Sequence, residues 1–151
     1  METATALVKL QEICSRQEKA PADVMALLKK WGVAPEKQGE ILEKLKAERF
    51  IDENRYASAF VKDKIRFDHW GTVKIRFHLN HKGISQDITA RALQEIDAQE
   101  YRQMISKELD KKRKTLKGTG REIWAKLARY GSSRGYEMDV MRDFLGADFS
   151  G

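Results

Sequence analysis

Residues 72–83 read TVKIRFHLNHKG, a sequence that predicts one amphipathic helix. Its apolar residues recur at helical spacing, and it ends on Gly83, a residue suited to the left-handed conformation just past a helix end. The same pattern recurs at residues 21–32 and 120–131, which end on Gly32 and Gly131. We therefore expect a helix of roughly ten residues at three places in the chain.

The three copies agree at fixed distances from their glycines. Leucine stands four residues before each glycine and a β-branched residue stands eight before it. The residue eleven positions before each glycine suits a helix start, as Pro21, Thr72 and Gly120. Apolar residues downstream predict a second helix that ends at an aromatic residue; its aromatic residues are Phe50, Tyr101 and Phe149. A looser apolar pattern upstream predicts a third helix in each unit.

These patterns predict an all-α protein made of three tandem three-helix repeats, at residues 1–51, 52–101 and 102–151. Units this small cannot bury their apolar faces alone, so we expect them to stack into an elongated, curved array. No strand is predicted, because the runs rich in β-branched residues are short and follow helical spacing.

The composition excludes several classes of protein. Hydrophobic residues make up 41% of the 151 residues and charged residues 34%, which is too apolar for a disordered chain and too charged for a membrane protein. Cys14 is the only cysteine, and His69, His78 and His81 have few ligating neighbours, so we expect no disulfide, metal or cofactor. No nucleophile with a positioned base is evident, and Asp52 and Glu53 suit a helix start. We expect a monomeric cytoplasmic protein that is not an enzyme.

The charge pattern points to an anionic partner. The net charge is +6, and the excess is concentrated in residues 52–83, with seven cations against four carboxylates, and in residues 102–151, with twelve against seven. On the helix of residues 72–82 we expect Lys74 and Lys82 on an outward arc, with the stem of Arg76 packed between two apolar sides. Such a surface suits DNA phosphate, an acidic protein groove or simply solvent. Trp70 suits base stacking, a protein pocket or core packing.

The second unit resembles the bacterial RecX family. The matching residues are FIDENRYA at 50–57, Phe60 and Val61, Trp70 and Gly71, Lys74, Ile75 and Leu79, Lys82 to Ile84, and Ala92 and Leu93. The family pattern usually has phenylalanine at Tyr56 and proline at Thr72. Both departures are compatible with the pattern, since an aromatic ring is retained and threonine can cap a helix.

The resemblance implies a non-enzymatic regulator of the RecA recombinase. Such a protein binds RecA filaments on single-stranded DNA, in the filament groove or where the filament grows, and reduces ATP hydrolysis, strand exchange and the co-protease activity that drives the SOS response. The expected contacts to RecA, or non-specifically to single-stranded DNA, are Arg55, Lys62, Arg66, Trp70, Lys74, Arg76, Lys82, Lys111, Lys112, Arg113, Lys114, Arg121, Lys126 and Arg129.

Two other functions are compatible with the sequence. One is a helix-turn-helix DNA-binding module in which residues 72–82 enter the major groove. Against it, Asn80 is the only Asn or Gln on that helix for reading bases, and the charge is spread over several helices. The other is a structural scaffold whose basic faces bind nothing.

Overall fold

The computed structural model describes residues 1–146, and within that range it is entirely α-helical, as the sequence predicts. No strand is present in those residues. Residues 1–146 form nine helices, in chain order α1 Thr3–Arg16, α2 Pro21–Lys30, α3 Pro35–Ala47, α4 Glu53–Arg66, α5 Thr72–His81, α6 Gln86–Gln94, α7 Ala98–Arg113, α8 Gly120–Arg134 and α9 Met138–Met141.

Helix boundaries follow the predicted signals in the first two copies of the pattern. Helix α2 begins at Pro21, whose missing N–H costs nothing in a first turn, and α5 begins at Thr72. Past their ends, Gly32 and Gly83 have φ angles of 70° and 84°, in the left-handed region where glycine carries no Cβ penalty. The prediction that these two glycines terminate helices is confirmed.

The third glycine prediction is wrong. Gly131 is a buried residue inside α8, and the helix continues to Arg134 before Gly135 ends it with a φ of 90°. Gly131 serves close packing instead, since a Cβ there would lie 2.1 Å from the sulfur of Met141. The helix is therefore 15 residues long, against 10 for α2 and α5.

The predicted second helices vary more than the pattern suggested. Helix α3 has 13 residues and Phe50 follows its end, whereas α9 has only 4 residues. Tyr101 lies in the first turns of α7 rather than at the end of α6, and Phe149 lies outside the described residues. The repeat boundaries at residues 51 and 101 remain our proposal.

The chain forms two compact units, each assembled from separate segments. Of the described residues, unit 1 comprises 1–59 and 78–92, and unit 2 comprises 60–77 and 93–146. In unit 1, α1, α2 and α3 bury a core that includes Leu10, Leu28 and Leu45. In unit 2, α7, α8 and α9 bury Ile105, Leu127 and Met141.

Candidate partner-binding surface

The turn of residues 67–71, which joins α4 to α5 in unit 2, is held by the end of α8. Arg134 donates hydrogen bonds through its guanidinium to the carbonyls of Asp68 and His69, and the Tyr136 hydroxyl donates to the His69 carbonyl at 2.7 Å. His69 has a φ of 55°, a conformation that non-glycine residues adopt only when their surroundings impose it. Sequence analysis did not single out Arg134, since its role depends on residues more than 60 positions away.

The first turn of α5 is anchored in the same unit. The Gly71 N–H donates to the Arg134 carbonyl at 2.8 Å, and the Val73 N–H donates to the Gly135 carbonyl at 3.0 Å. The Thr72 N–H donates to the Tyr101 hydroxyl at 2.9 Å, which in turn donates to a carboxylate oxygen of Glu137. The first amides of this helix are therefore already satisfied within the protein.

Trp70 lies half-buried beneath two lysines. The ammonium of Lys74 is 4.4 Å from the centre of the indole and that of Lys64 is 4.8 Å from it, while Phe60 meets the ring edge-on at 6.2 Å. These distances are within the range of cation–π attraction. Of the predicted contact residues, the structure thus brings Trp70 and Lys74 together, and Lys64 is a member that sequence analysis missed.

A second aromatic ring in unit 2 carries two cations. The Lys112 ammonium lies 5.1 Å from the centre of the Tyr130 ring, and the Arg134 guanidinium lies 5.9 Å from it. Arg113 is engaged too, since it pairs with Asp110 at 2.6 Å and donates to the Phe144 carbonyl. Lys112 and Arg113, which the sequence places in a basic run, therefore have structural contacts.

The remaining predicted cations of unit 2 lie on its exposed surface. Lys111 approaches the carboxylate of Glu108 at 3.6 Å, and Lys126 reaches the Lys117 carbonyl at 3.4 Å. The exposed side chains of this set are Lys62, Arg66, Arg76, Lys111, Lys114, Arg121, Lys126 and Arg129. These predicted cations are therefore accessible to a partner.

The structure corrects the expected faces of α5. The Ile75 and Leu79 side is fully buried as expected, but Val73 and Phe77 are exposed. Arg76 is exposed beside them, and the packing of its stem between two apolar sides stays a prediction. Lys74, placed on an outward arc, is instead half-buried over Trp70. The outward face of this part of α5 is therefore apolar with one cation.

In unit 1, the two predicted contact residues both form ion pairs. The Lys82 ammonium is 2.6 Å from a carboxylate oxygen of Asp23, and the Lys82 carbonyl accepts from the Ala22 N–H at 3.3 Å. Arg55 pairs with Glu18, and that hydrogen bond raises the pKa of the Arg55 guanidinium. Because Lys82 and Asp23 are 59 positions apart, the sequence alone could not show that this lysine is occupied.

Two protein-family models match the sequence of this chain. The model for the second three-helix domain of RecX matches residues 52–93, and the model for the third three-helix domain of RecX matches residues 99–145. The chain belongs to the RecX family. The resemblance that the motif of the second unit indicated is confirmed.

Named relatives and solved structures agree with this assignment. The chain is 36% identical over 105 residues to the regulatory protein RecX of Clostridium botulinum strain Eklund 17B, a match that covers 67% of this chain and 48% of that relative. It is 29% identical over 129 residues to the regulatory protein RecX of Prosthecochloris aestuarii, covering 85% of this chain and 83% of that relative. The chain thus spans about half the length of its Clostridium botulinum relatives.

The fold is that of RecX crystal structures. One, of regulatory protein RecX, has a TM-score of 0.88 and 24% identity and covers 96% of this chain and 73% of its own. Another, of RecX from Lactobacillus salivarius, has a TM-score of 0.80 and 19% identity and covers 95% of this chain and 94% of its own. None of the helices in residues 1–146 combines the length and the hydropathy of a membrane-spanning segment.

The RecX motif residue Lys82 yields a stability prediction. Replacing Lys82 by glutamine removes the pair with Asp23 and is expected to lower the free energy of unfolding by about 1 kcal/mol, since a partly exposed pair contributes little more than that. Arg76→Gln is the matched control and should change the stability by less than about 0.5 kcal/mol, because Arg76 is exposed and forms no ion pair with residues 1–146. Urea unfolding measures both variants. Equal stabilities would contradict a structural role for Lys82.

Proposed function

We propose that this protein regulates RecA by binding RecA filaments on single-stranded DNA and inhibiting their activities. The observation that carries the proposal is the match of residues 52–93 and 99–145 to two RecX domains, together with relatives that are named regulatory proteins. From the family we infer lower ATP hydrolysis, strand exchange and co-protease activity, and therefore a role in DNA repair and the SOS response. RecA acts on chromosomal DNA, so the proposal places the protein in the cytoplasm.

The exposed surface of unit 2 supports an acidic or phosphate-bearing partner. Several of its exposed cations form no ion pair with residues 1–146, namely Lys62, Arg66, Arg76, Lys114, Lys126 and Arg129. Uncompensated like charge repels itself in the free protein and attracts a partner of opposite charge. Both binding in the filament groove and blocking of filament growth fit such a surface.

The contacts of α5 argue against the helix-turn-helix alternative. In that mode the first turn of the recognition helix faces base edges in the major groove. Here the Gly71, Thr72 and Val73 amides donate to acceptors within unit 2. These amides cannot bind DNA phosphate, and the exposed side chains of the first two turns, Val73, Arg76 and Phe77, include no Asn or Gln to read bases.

The proposal is tested with RecA, single-stranded DNA and ATP. Adding this protein at up to one copy per RecA is expected to reduce DNA-dependent ATP hydrolysis by more than half. The measurement is repeated with single-stranded DNA in large excess, because inhibition that disappears there arises from DNA capture alone. An unchanged hydrolysis rate at equimolar protein, or inhibition only when DNA is scarce, would contradict regulation through the filament.

A further inference from the structure

Helix α5 carries an exposed apolar pair that the fold does not bury. Val73 is 55% exposed and Phe77 is 57% exposed. They are four residues apart on one helix, so their side chains are neighbours on the same face. Arg76, one residue before Phe77, is exposed on the adjoining part of the helix surface. The three side chains form what we name the α5 docking face.

Exposed apolar residues are concentrated in the stretch of the chain that carries this face. Five large apolar residues of the described chain are exposed, and three of them, Phe67, Val73 and Phe77, lie within residues 67–77. Single exposed apolar residues are ordinary on protein surfaces, but a cluster of them indicates an interaction site. The cluster therefore indicates an interaction site in residues 67–77.

The backbone beneath the docking face is fixed. Ile75 and Leu79 on the opposite side of α5 are fully buried, and the Val73 N–H is bonded to the Gly135 carbonyl. A helix held in this way presents its side chains in one arrangement before any partner binds. Little ordering of the backbone is then required on binding, which favours affinity.

The charges of the same segment identify the chemistry of the partner. Arg76 forms no ion pair with residues 1–146, and Arg66 and Lys62 of α4 are exposed and likewise unpaired. Two apolar anchors four residues apart, with an arginine between them in the sequence, fit an apolar groove rimmed by carboxylates, as in helix-in-groove recognition. Because the exposed side chains around the apolar pair are cations, the rim of the partner's groove is expected to carry carboxylates.

A protein groove fits this face better than nucleic acid does. Single-stranded nucleic acid is held by several aromatic rings on which successive bases stack, whereas this face offers the single ring of Phe77 beside the aliphatic Val73. Trp70, the residue of this segment best suited to stacking, already carries the ammonium groups of Lys64 and Lys74 on its ring. The face therefore offers apolar contact area and one guanidinium, which are the features of a protein interface.

We propose that the docking face of Val73, Arg76 and Phe77 inserts into an apolar, carboxylate-rimmed groove on the protein subunits of the filament. This inference rests on the proposed function and names the surface that performs it. The contact is to protein, and the exposed lysines of unit 2 act around it through longer-range attraction.

The test compares two variants of the full chain on filaments of RecA and single-stranded DNA. The variant Val73→Gln with Phe77→Gln removes the apolar anchors while keeping residues that favour a helix. It is expected to bind the filament about 30-fold more weakly, as loss of an interface hot spot does. The matched control is Val8→Gln in unit 1, a residue that is 62% exposed, and it should bind like the wild type. Thermal unfolding should place both variants within a few degrees of the wild type.

The outcomes separate the two proposals. Wild-type protein that neither binds nor inhibits the filament contradicts the proposed function, and the docking inference with it. Wild-type inhibition that the double variant retains in full, with an intact fold, overturns the docking inference alone. Binding to single-stranded DNA without RecA is measured in parallel and should be equal for all three proteins. A 30-fold loss on bare DNA would show a nucleic-acid contact and would overturn the assignment to protein.

Discussion

Replacing Gly71 by alanine is expected to lower the free energy of unfolding by about 3 kcal/mol. A Cβ on Gly71 would lie 2.1 Å from the carbonyl oxygen of Gly135 and 2.5 Å from the Tyr136 nitrogen. Both neighbours are backbone atoms, so no side chain can turn aside to make room. The two segments would have to separate, and the bond from the Gly71 N–H to the Arg134 carbonyl, 2.8 Å long, would be lost.

Gly39 provides a matched control for this substitution. It lies within α3, where a Cβ would meet nothing within 4 Å. Gly39→Ala should therefore be neutral or stabilise the protein by about 0.5 to 1 kcal/mol, since alanine is the better helix former. Urea unfolding followed by circular dichroism measures both variants. Equal effects of the two substitutions would contradict the close approach of Gly71 to Gly135.

The sequence motif contains Gly71 but does not show why a glycine is required there. The sequence supplied Trp70 and Gly71 as part of a family pattern, but the reason for the glycine is the carbonyl of Gly135, 64 positions later. No local pattern contains that contact. The structure explains the glycine of the family pattern by a steric requirement at Gly71, and the stability of Gly71→Ala measures it.

The helices were largely predictable because their signals are local. Apolar spacing located α2 and α5, and proline or glycine marked their boundaries. Gly131 misled the prediction because glycine serves both to end a helix and to allow close packing, and spacing does not distinguish the two. The contact that decides between them is with Met141, on a helix whose position the sequence does not give.

The candidate surface was less predictable because exposure depends on tertiary neighbours. Helix α5 is apolar on two sides, and its sequence does not say whether the Val73 side or the Ile75 side is buried. The lysines present the same difficulty, since Lys74 covers an indole and Lys82 pairs with Asp23. Counting cations therefore located the basic segments but could not separate the structural lysines from the available ones.

Between pH 10 and pH 12 the folded protein is expected to lose several kcal/mol of stability. Burial raises the pKa of Tyr56 to about 12 and that of Tyr136 to about 12, from an ordinary value of 10.0, and it also raises the pKa of Tyr101. Above pH 10 the unfolded chain releases these hydroxyl protons while the folded protein keeps them. The unfolded state then binds fewer protons, so the free energy of unfolding falls as the pH rises through this window.

Tyr136→Phe isolates one tyrosine from the lysines that titrate in the same range. Near pH 8 this variant should be about 1 kcal/mol less stable than the wild type, because the hydrogen bond to the His69 carbonyl is lost. Above pH 10 its stability should fall less steeply, by about 1.4 kcal/mol per pH unit, since one fewer proton is released on unfolding. The two stability curves should therefore cross near pH 11, and the variant should be the more stable protein at pH 12. The lysines are the same in both proteins and do not contribute to the difference between the curves. Curves that stay parallel would mean that Tyr136 ionises as readily in the folded protein as in the unfolded chain. Burial of Tyr136, which is 3% exposed, opposes ionisation in the folded protein.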